Sequence, residues 1–475
     1  MISTSRSAAR NTIFLSLAQG IRIVLGFALI LFIANRFGAT WQGKFSILLA
    51  FLNIFQVMSS FGLPRLITRE VARDHSESNR YFWGGVVAQG ATTALFAAAM
   101  YVIIGLMPYP ADTKAMLRLA ILTLPMFLLY SLSAALLRAF ERMQYLVYAE
   151  VLSSVAQIIT AVVVLTITPN VMALAGVRLA GLSLSAVVVL VSVVRMRLVR
   201  RPAIHLPFSW SLLRHSGDLF ILAALDAILQ QLDILSLSIV AGESVTGIYD
   251  AAFRLVQVLL TLVMSFTEAM YPILSRLYVE SRQRFGLVTG KALQYGMVAL
   301  LPIAVGATVL APQIIALLYH RPDYAASANV LAVLGWGAIV YFIMNLLSRT
   351  LVAGDRQRAS MWATVIMMAV GLVLVPGFTH LLGAVGAGLG LSLMFATGAV
   401  VALYFSRDFG LAFGVGCIAR PALAAALMGA TLYFLPQLPL VVAVGVGVVV
   451  YGILAFGLRA FDRSDIEVFR GLTRR

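Results

Sequence analysis

Charge is what this chain lacks most. Only 11% of its 475 residues are Asp, Glu, Lys or Arg, where a soluble protein carries about a quarter. That is too little polar sequence to cover a water-facing surface. Lysine is nearly missing, with Lys44, Lys114 and Lys291 the only examples, so arginine carries almost all of the formal +16 charge. Cysteine is limited to Cys417 inside an apolar run, which excludes disulfide, zinc-thiolate and iron–sulfur frameworks. His75, His205, His215, His320 and His380 are scattered and suggest no metal centre. A Gly-x-x-x-x-Gly-Lys-Ser/Thr loop is missing too, which argues against direct ATP hydrolysis.

What is present is hydrocarbon: 61% hydrophobic residues and a mean hydropathy of +0.96. They fall in runs of about twenty, the length needed to cross a hydrocarbon core of roughly 30 Å. With no water in that layer each run must be a helix that satisfies its own backbone. The reading is an all-α polytopic membrane protein of about fourteen spans, near 11–35, 43–63, 81–107, 114–138, 146–168, 173–194, 216–240, 245–272, 288–310, 328–350, 359–380, 384–405, 415–435 and 438–458. The first run is too long for a signal peptide and is expected to be retained. No loop is long enough to hold a catalytic domain.

The arginines test this count. With the N-terminus in the cytoplasm, inner loops collect Arg65, Arg69, Arg73 and Arg80, then Arg138 and Arg142, Arg195 to Arg201, Arg276 to Arg284, Arg356 and Arg358, Arg407 and the tail. Outer loops hold only Arg36, Lys44, Lys114, Arg118 and Arg321. This is the positive-inside pattern, and it places both termini in the cytoplasm. The basic charge thus sets topology, and no nucleic-acid partner is expected.

The chain also repeats itself. Gly43-Lys44-Phe45-Ser46 resembles Gly247-Ile248-Tyr249-Asp250, and Leu63-Pro64-Arg65-Leu66 resembles Tyr271-Pro272-Ile273-Leu274. Ala149-Glu150-Val151-Leu152 pairs with Ala363-Thr364-Val365-Ile366, and Gly181-Leu182-Ser183-Leu184 with Gly390-Leu391-Ser392-Leu393. Chain order is kept at nearly constant offset. Two pseudo-symmetric six-helix lobes follow, 1–200 and 201–410, with two additional helices and a cytoplasmic tail over 411–475. An even number of spans per copy gives both copies the same orientation.

This plan resembles the polysaccharide branch of the multidrug/oligosaccharidyl-lipid/polysaccharide exporter superfamily, a MATE-like fold. Gly247 to Arg254 with Glu268-Ala269-Met270-Tyr271-Pro272 is similar to the family's eighth helix. Ala353-Gly354-Asp355-Arg356-Gln357 is similar to its loop between helices ten and eleven, and Ser60-Phe61-Gly62-Leu63-Pro64 with Arg69-Glu70-Val71-Ala72-Arg73 to its second-helix exit. The resemblance implies a V-shaped cavity lined by helices one, two, seven and eight, alternating access, and transfer of undecaprenyl-pyrophosphate-linked oligosaccharide across the bacterial cytoplasmic membrane. It implies a transporter without a cofactor, with the polysaccharide polymerase machinery as a further partner.

Polar residues inside the spans are the candidate site, because intramembrane charge is costly unless it faces protein or water. Arg22, Arg254 and Arg178 are candidates for holding the pyrophosphate, since guanidinium groups replace its hydration bidentately. Gln19, Asn53, Gln56, Gln230, Gln257 and Asn345 are candidates for the sugar hydroxyls. Asp226, Asp233, Asp250 and Glu150 are candidates for a coupling ion or for balancing the arginines. Asp226 and Asp233, two turns apart, are expected to share a helix face. Plainer readings stand beside these: Asp250 and Arg254 have ordinary i,i+4 ion-pair spacing, Glu150 and Arg178 could pair across adjacent spans, and Asp218 and Glu268 fit membrane boundaries. A cation or drug antiporter of the same fold and a peptidoglycan-precursor flippase stay open. A membrane-embedded glycosyltransferase or polymerase fits worst, for want of a large outer loop.

Overall fold

The computed structural model describes residues 20, 24–200, 202, 205–411 and 416–458. Among them every regular element is a helix. The chain divides into two compact units, one up to Ile239 and one from Val240 onward.

The first unit contains α1 (Val24–Phe37), α2 (Ala39–Ser60), α3 (Leu63–Arg73), α4 (Ser78–Leu106), α5 (Ala111–Ala120), α6 (Thr123–Ala139), α7 (Met143–Ile167), α8 (Met172–Arg195), α9 (Leu206–Leu229) and α10 (Leu232–Val240). Its core runs in two clusters, one around Ile47, Leu48, Met116 and Leu174, the other around Ile67, Leu132, Leu136 and Val189. The second unit contains α11 (Glu243–Glu280), α12 (Arg282–Val309), α13 (Ala311–Leu318), α14 (Ser327–Ala353), α15 (Gln357–Ser406), α16 (Gly416–Tyr433) and α17 (Leu440–Gly457). The appended α16 packs on α12, and the Tyr451 hydroxyl of α17 donates to the Val298 carbonyl at 2.7 Å.

Among the described residues, ten helical stretches are long and apolar enough to cross a membrane, or eleven with the bent pair α9–α10 taken as one; α1 and Ile418–Tyr433 are shorter apolar helices. The protein is a multi-pass membrane protein. α15 spans two of the expected crossings, which meet at Gly383 (φ 59°, ψ −131°), a backbone conformation open to glycine. The fourth expected crossing is broken into α5 and α6 at Ile121–Leu122, just ahead of Pro125, whose ring cannot extend a helix backwards. The second crossing ends earlier than expected, at the left-handed pair Phe61–Gly62 (φ 50° and 73°). The supposed loop after it is the amphipathic α3, which buries Leu63, Leu66, Ile67 and Val71.

Some positions paired by the sequence repeat have matching backbone conformations. Gly38 ahead of α2 (φ 86°, ψ −176°) and Gly242 ahead of α11 (φ 85°, ψ 177°) have matching conformations. Glu141 after α6 and Asp355 after α14 are both left-handed (φ 56° and 58°), and the next amide, Arg142 or Arg356, donates at 2.8 Å to Leu137 or Leu351. The paired Gly-Leu-Ser-Leu segments also act alike. A Cβ on Gly181 would come within 2.4 Å of Gln157 on α7, and one on Gly390 within 2.8 Å of the Val375 backbone in the preceding half of α15. Both glycines let one helix lie close against the one before it. Packing and repeat differ on one element: α9 packs on α2, α3 and α4 of the first unit, whereas the repeat places it at the head of the second copy.

Candidate substrate site

α11 holds the best-built candidate. Asp250 lies two turns into the helix and is buried, its side chain 3% exposed, with Arg254 one turn further and 21% exposed. The Arg254 Nε donates to both carboxylate oxygens, at 3.1 and 3.3 Å. A buried carboxylate left alone would be strongly destabilising, and Arg254 is one of the partners that hold Asp250. For Arg254 it does something further: it fixes the guanidinium plane while Nη1 and Nη2 donate to no described residue. Those two nitrogens are the fork that matches a phosphate bidentately. Gln257, one turn on, is exposed, and its amide has no partner among the described residues.

Asn53 on α2 stands where Gln257 stands on α11, as the Gly38/Gly242 register shows, and it too is exposed in mid-helix. Gln56 is half-buried one turn later. A polar side chain uncovered at the middle of a span is expensive against lipid tails. Such positions face water, ligand or protein.

A separate candidate, within the first unit, is a discontinuous helix. α9 stops at Leu229, the chain turns through Gln230 and Gln231, and α10 leaves at 50° to it. Asp226 in the last turn of α9 is exposed and accepts from Gln230 Nε2 at 2.7 Å. Asp233 in the first turn of α10 is buried, its Oδ1 accepting from the Ile234 amide at 2.8 Å. The expectation that these two acids share a face of one helix is therefore corrected: a 50° bend lies between them, and Asp226 is exposed where Asp233 is buried. Broken helices near mid-membrane mark binding sites in many transporters.

Three other candidates sit in packing contacts within their units. Glu150 accepts from the Tyr130 hydroxyl at 3.2 Å, and Arg178 Nη1 donates to Gln157 Oε1 at 2.7 Å. Asn345 Oδ1 on α14 accepts from Thr267 on α11 at 2.6 Å. Arg22 and Gln19 lie outside the described residues. Sequence reasoning passed over Arg349, which reaches Glu268 at 3.6 Å. It also missed the hydroxyls of Thr261 and Ser265, although their spacing from Arg254, at i+7 and i+11, is a helical-face signal.

A family model described as polysaccharide biosynthesis protein matches residues 8–278, more than half the chain. The chain belongs to this family. A second model, MatE, matches residues 220–376. The fold of this chain is similar to that of a solved lipid II flippase MurJ in an inward closed conformation, with a TM-score of 0.78 and 17% identity over 94% of this chain and 99% of that one. It is also similar to an inward-facing multidrug resistance MATE family transporter (TM-score 0.64, 15% identity, 82% and 94% covered) and to a transporter from Pyrococcus furiosus (0.56, 13%, 82% and 92%). A search of curated proteins finds no match. The family and these folds are all of the exporter superfamily named above.

Proposed function

We propose that this member of the family is a flippase that moves undecaprenyl-pyrophosphate-linked oligosaccharide from the cytoplasmic to the outer leaflet of a bacterial inner membrane, both termini in the cytoplasm. It feeds the synthesis of a surface polysaccharide, transporting without transforming its substrate. The observation that carries this reading is Arg254, whose Nε is held by Asp250 while its terminal nitrogens donate to no residue among those described. A pyrophosphate loses its hydration on leaving water, and a pre-oriented guanidinium restores two charge-assisted hydrogen bonds. Arg22 is the candidate for the second anion contact. Asn53, Gln56, Gln230 and Gln257 serve the sugar, and Asp226 carries a coupling proton or cation. The two copies of the repeat then work as the moving lobes of alternating access.

The test is lipid movement in liposomes containing the purified protein and a fluorescent undecaprenyl-pyrophosphate oligosaccharide, followed with an external quencher. Protein-dependent loss of the protected pool, slowed by Arg254→Ala, supports the reading. Two observations favour narrower alternatives on the same scaffold. The likeness to a lipid II flippase makes lipid II the first competing substrate in this assay. The MatE match together with exposed Asp226 favours a cation antiporter, for which dye efflux without lipid movement is the signature.

A further inference from the structure

Arg254 is the upper end of a longer polar stripe. Residues 254, 257, 261, 265 and 268 fall on one face of α11, the i, i+3, i+7, i+11, i+14 series of a single helix side. Gln257, Thr261, Ser265 and Glu268 are all exposed, and Arg349 of α14 meets the far end at Glu268. Beside the stripe the exposed residues are apolar, Val258 and Leu262 on one flank and Met264 on the other. The stripe covers about 21 Å of helix at 1.5 Å per residue, most of the way through a leaflet and a half.

Its middle has a chemical sign. Thr261 Oγ1 donates its hydrogen to the Gln257 carbonyl at 2.9 Å, and Ser265 Oγ donates to the Thr261 carbonyl at 3.0 Å. Each hydroxyl has spent its only proton on the backbone, so outward it offers lone pairs alone. The two hydroxyls, acceptors without donors, suit the many O–H groups of a saccharide and offer nothing to a phosphate, while the Gln257 amide is the one neutral donor of the stripe. Cationic donors stand only at the two ends. The far end is also the looser: Glu268 and Arg349 are 61% and 39% exposed and touch at one 3.6 Å contact, the kind of pair worth at most about 1 kcal/mol and easily exchanged.

We propose that this face of α11 is a saccharide-selective track, with Arg349 as a loading site for the lipid's phosphate and Thr261 and Ser265 as acceptors that select for a hydroxyl-bearing headgroup. It rests on the flippase reading and adds a selectivity that reading does not require. The test measures transport in liposomes of two probes, undecaprenyl pyrophosphate and its fluorescent oligosaccharide conjugate, over a range of concentrations. Thr261→Val/Ser265→Ala raises half-saturation for the oligosaccharide lipid about tenfold and leaves the sugar-free lipid unchanged. Thr261→Ser restores wild-type behaviour, which separates lost acceptors from a misfolded helix. Arg349→Gln weakens both lipids alike. A wild type that moves both probes, with a preference unaltered by the double substitution, overturns the track and spares the flippase. A wild type that moves neither overturns both.

Discussion

At the scale of single residues the decisive question is what Asp250 does to Arg254. Removing the guanidinium, Arg254→Ala, forfeits charge-assisted hydrogen bonding with a net worth of about 1.5–3 kcal/mol, so lipid movement is expected to fall by roughly tenfold to a hundredfold. Arg254→Lys recovers little, because an ammonium is a point charge without a fork. Asp250→Asn acts in the opposite sense on binding. It deletes the counter-charge while keeping the side chain's shape, so half-saturation for undecaprenyl-pyrophosphate oligosaccharide falls and the maximal rate falls with it, release having become slower. Steady-state lipid movement as a function of concentration separates the two effects. This pair was legible in the sequence, since i,i+4 spacing inside an apolar run leaves few other partners. Asp226 and Asp233 were not: their separation depends on a helix break at Gln230–Gln231, and two glutamines carry none of the signals that proline or glycine would.

At the scale of elements, glycine decides how closely helices approach. A Cβ at Gly390 meets backbone, Val375 Cα at 2.8 Å and the Leu374 carbonyl at 2.9 Å. Gly390→Ala therefore forces the two halves of α15 apart, at a cost of about 1–3 kcal/mol. At Gly181 the obstacle is the side chain of Gln157, which can swing away from Arg178. The gain of up to about 1 kcal/mol in helix propensity from Gly to Ala then offsets the loss. Thermal unfolding in detergent is expected to show a clear drop for Gly390→Ala and a small change for Gly181→Ala. The break between α2 and α3 depends on similar packing. Gly62 faces the α9 backbone near Leu219, and Phe61 stacks on Phe220 at 4.1 Å. Sequence periodicity located the long helices because apolar runs of twenty are unambiguous. It misjudged this break and the amphipathic α3, whose buried residues are spaced among arginines.

At the scale of the whole molecule, the duplicated backbone is testable as a duplication. Gly38 and Gly242 occupy the same glycine-only region, where another residue costs about 1–3 kcal/mol. Gly38→Ala and Gly242→Ala should lower the unfolding temperature by similar amounts, although their neighbouring sequences differ. Topology has its own test. With Cys417→Ser as background, Arg358→Cys should react with an impermeant maleimide only in inside-out vesicles, and Asp323→Cys only in right-side-out ones. The opposite labelling would reverse the assignment drawn from the arginines. One further property belongs to α11 as a body. Its 38 residues make a rod of about 57 Å, nearly twice the hydrocarbon thickness of roughly 30 Å. A rod of that length is a lever: a tilt of about 10° around its midpoint sweeps each tip through about 5 Å, close to one helical pitch. Arg254, about 11 Å from that midpoint, would move only about 2 Å while the tips swing through about 5 Å, so an anion held there would stay gripped as the two ends of the helix change places.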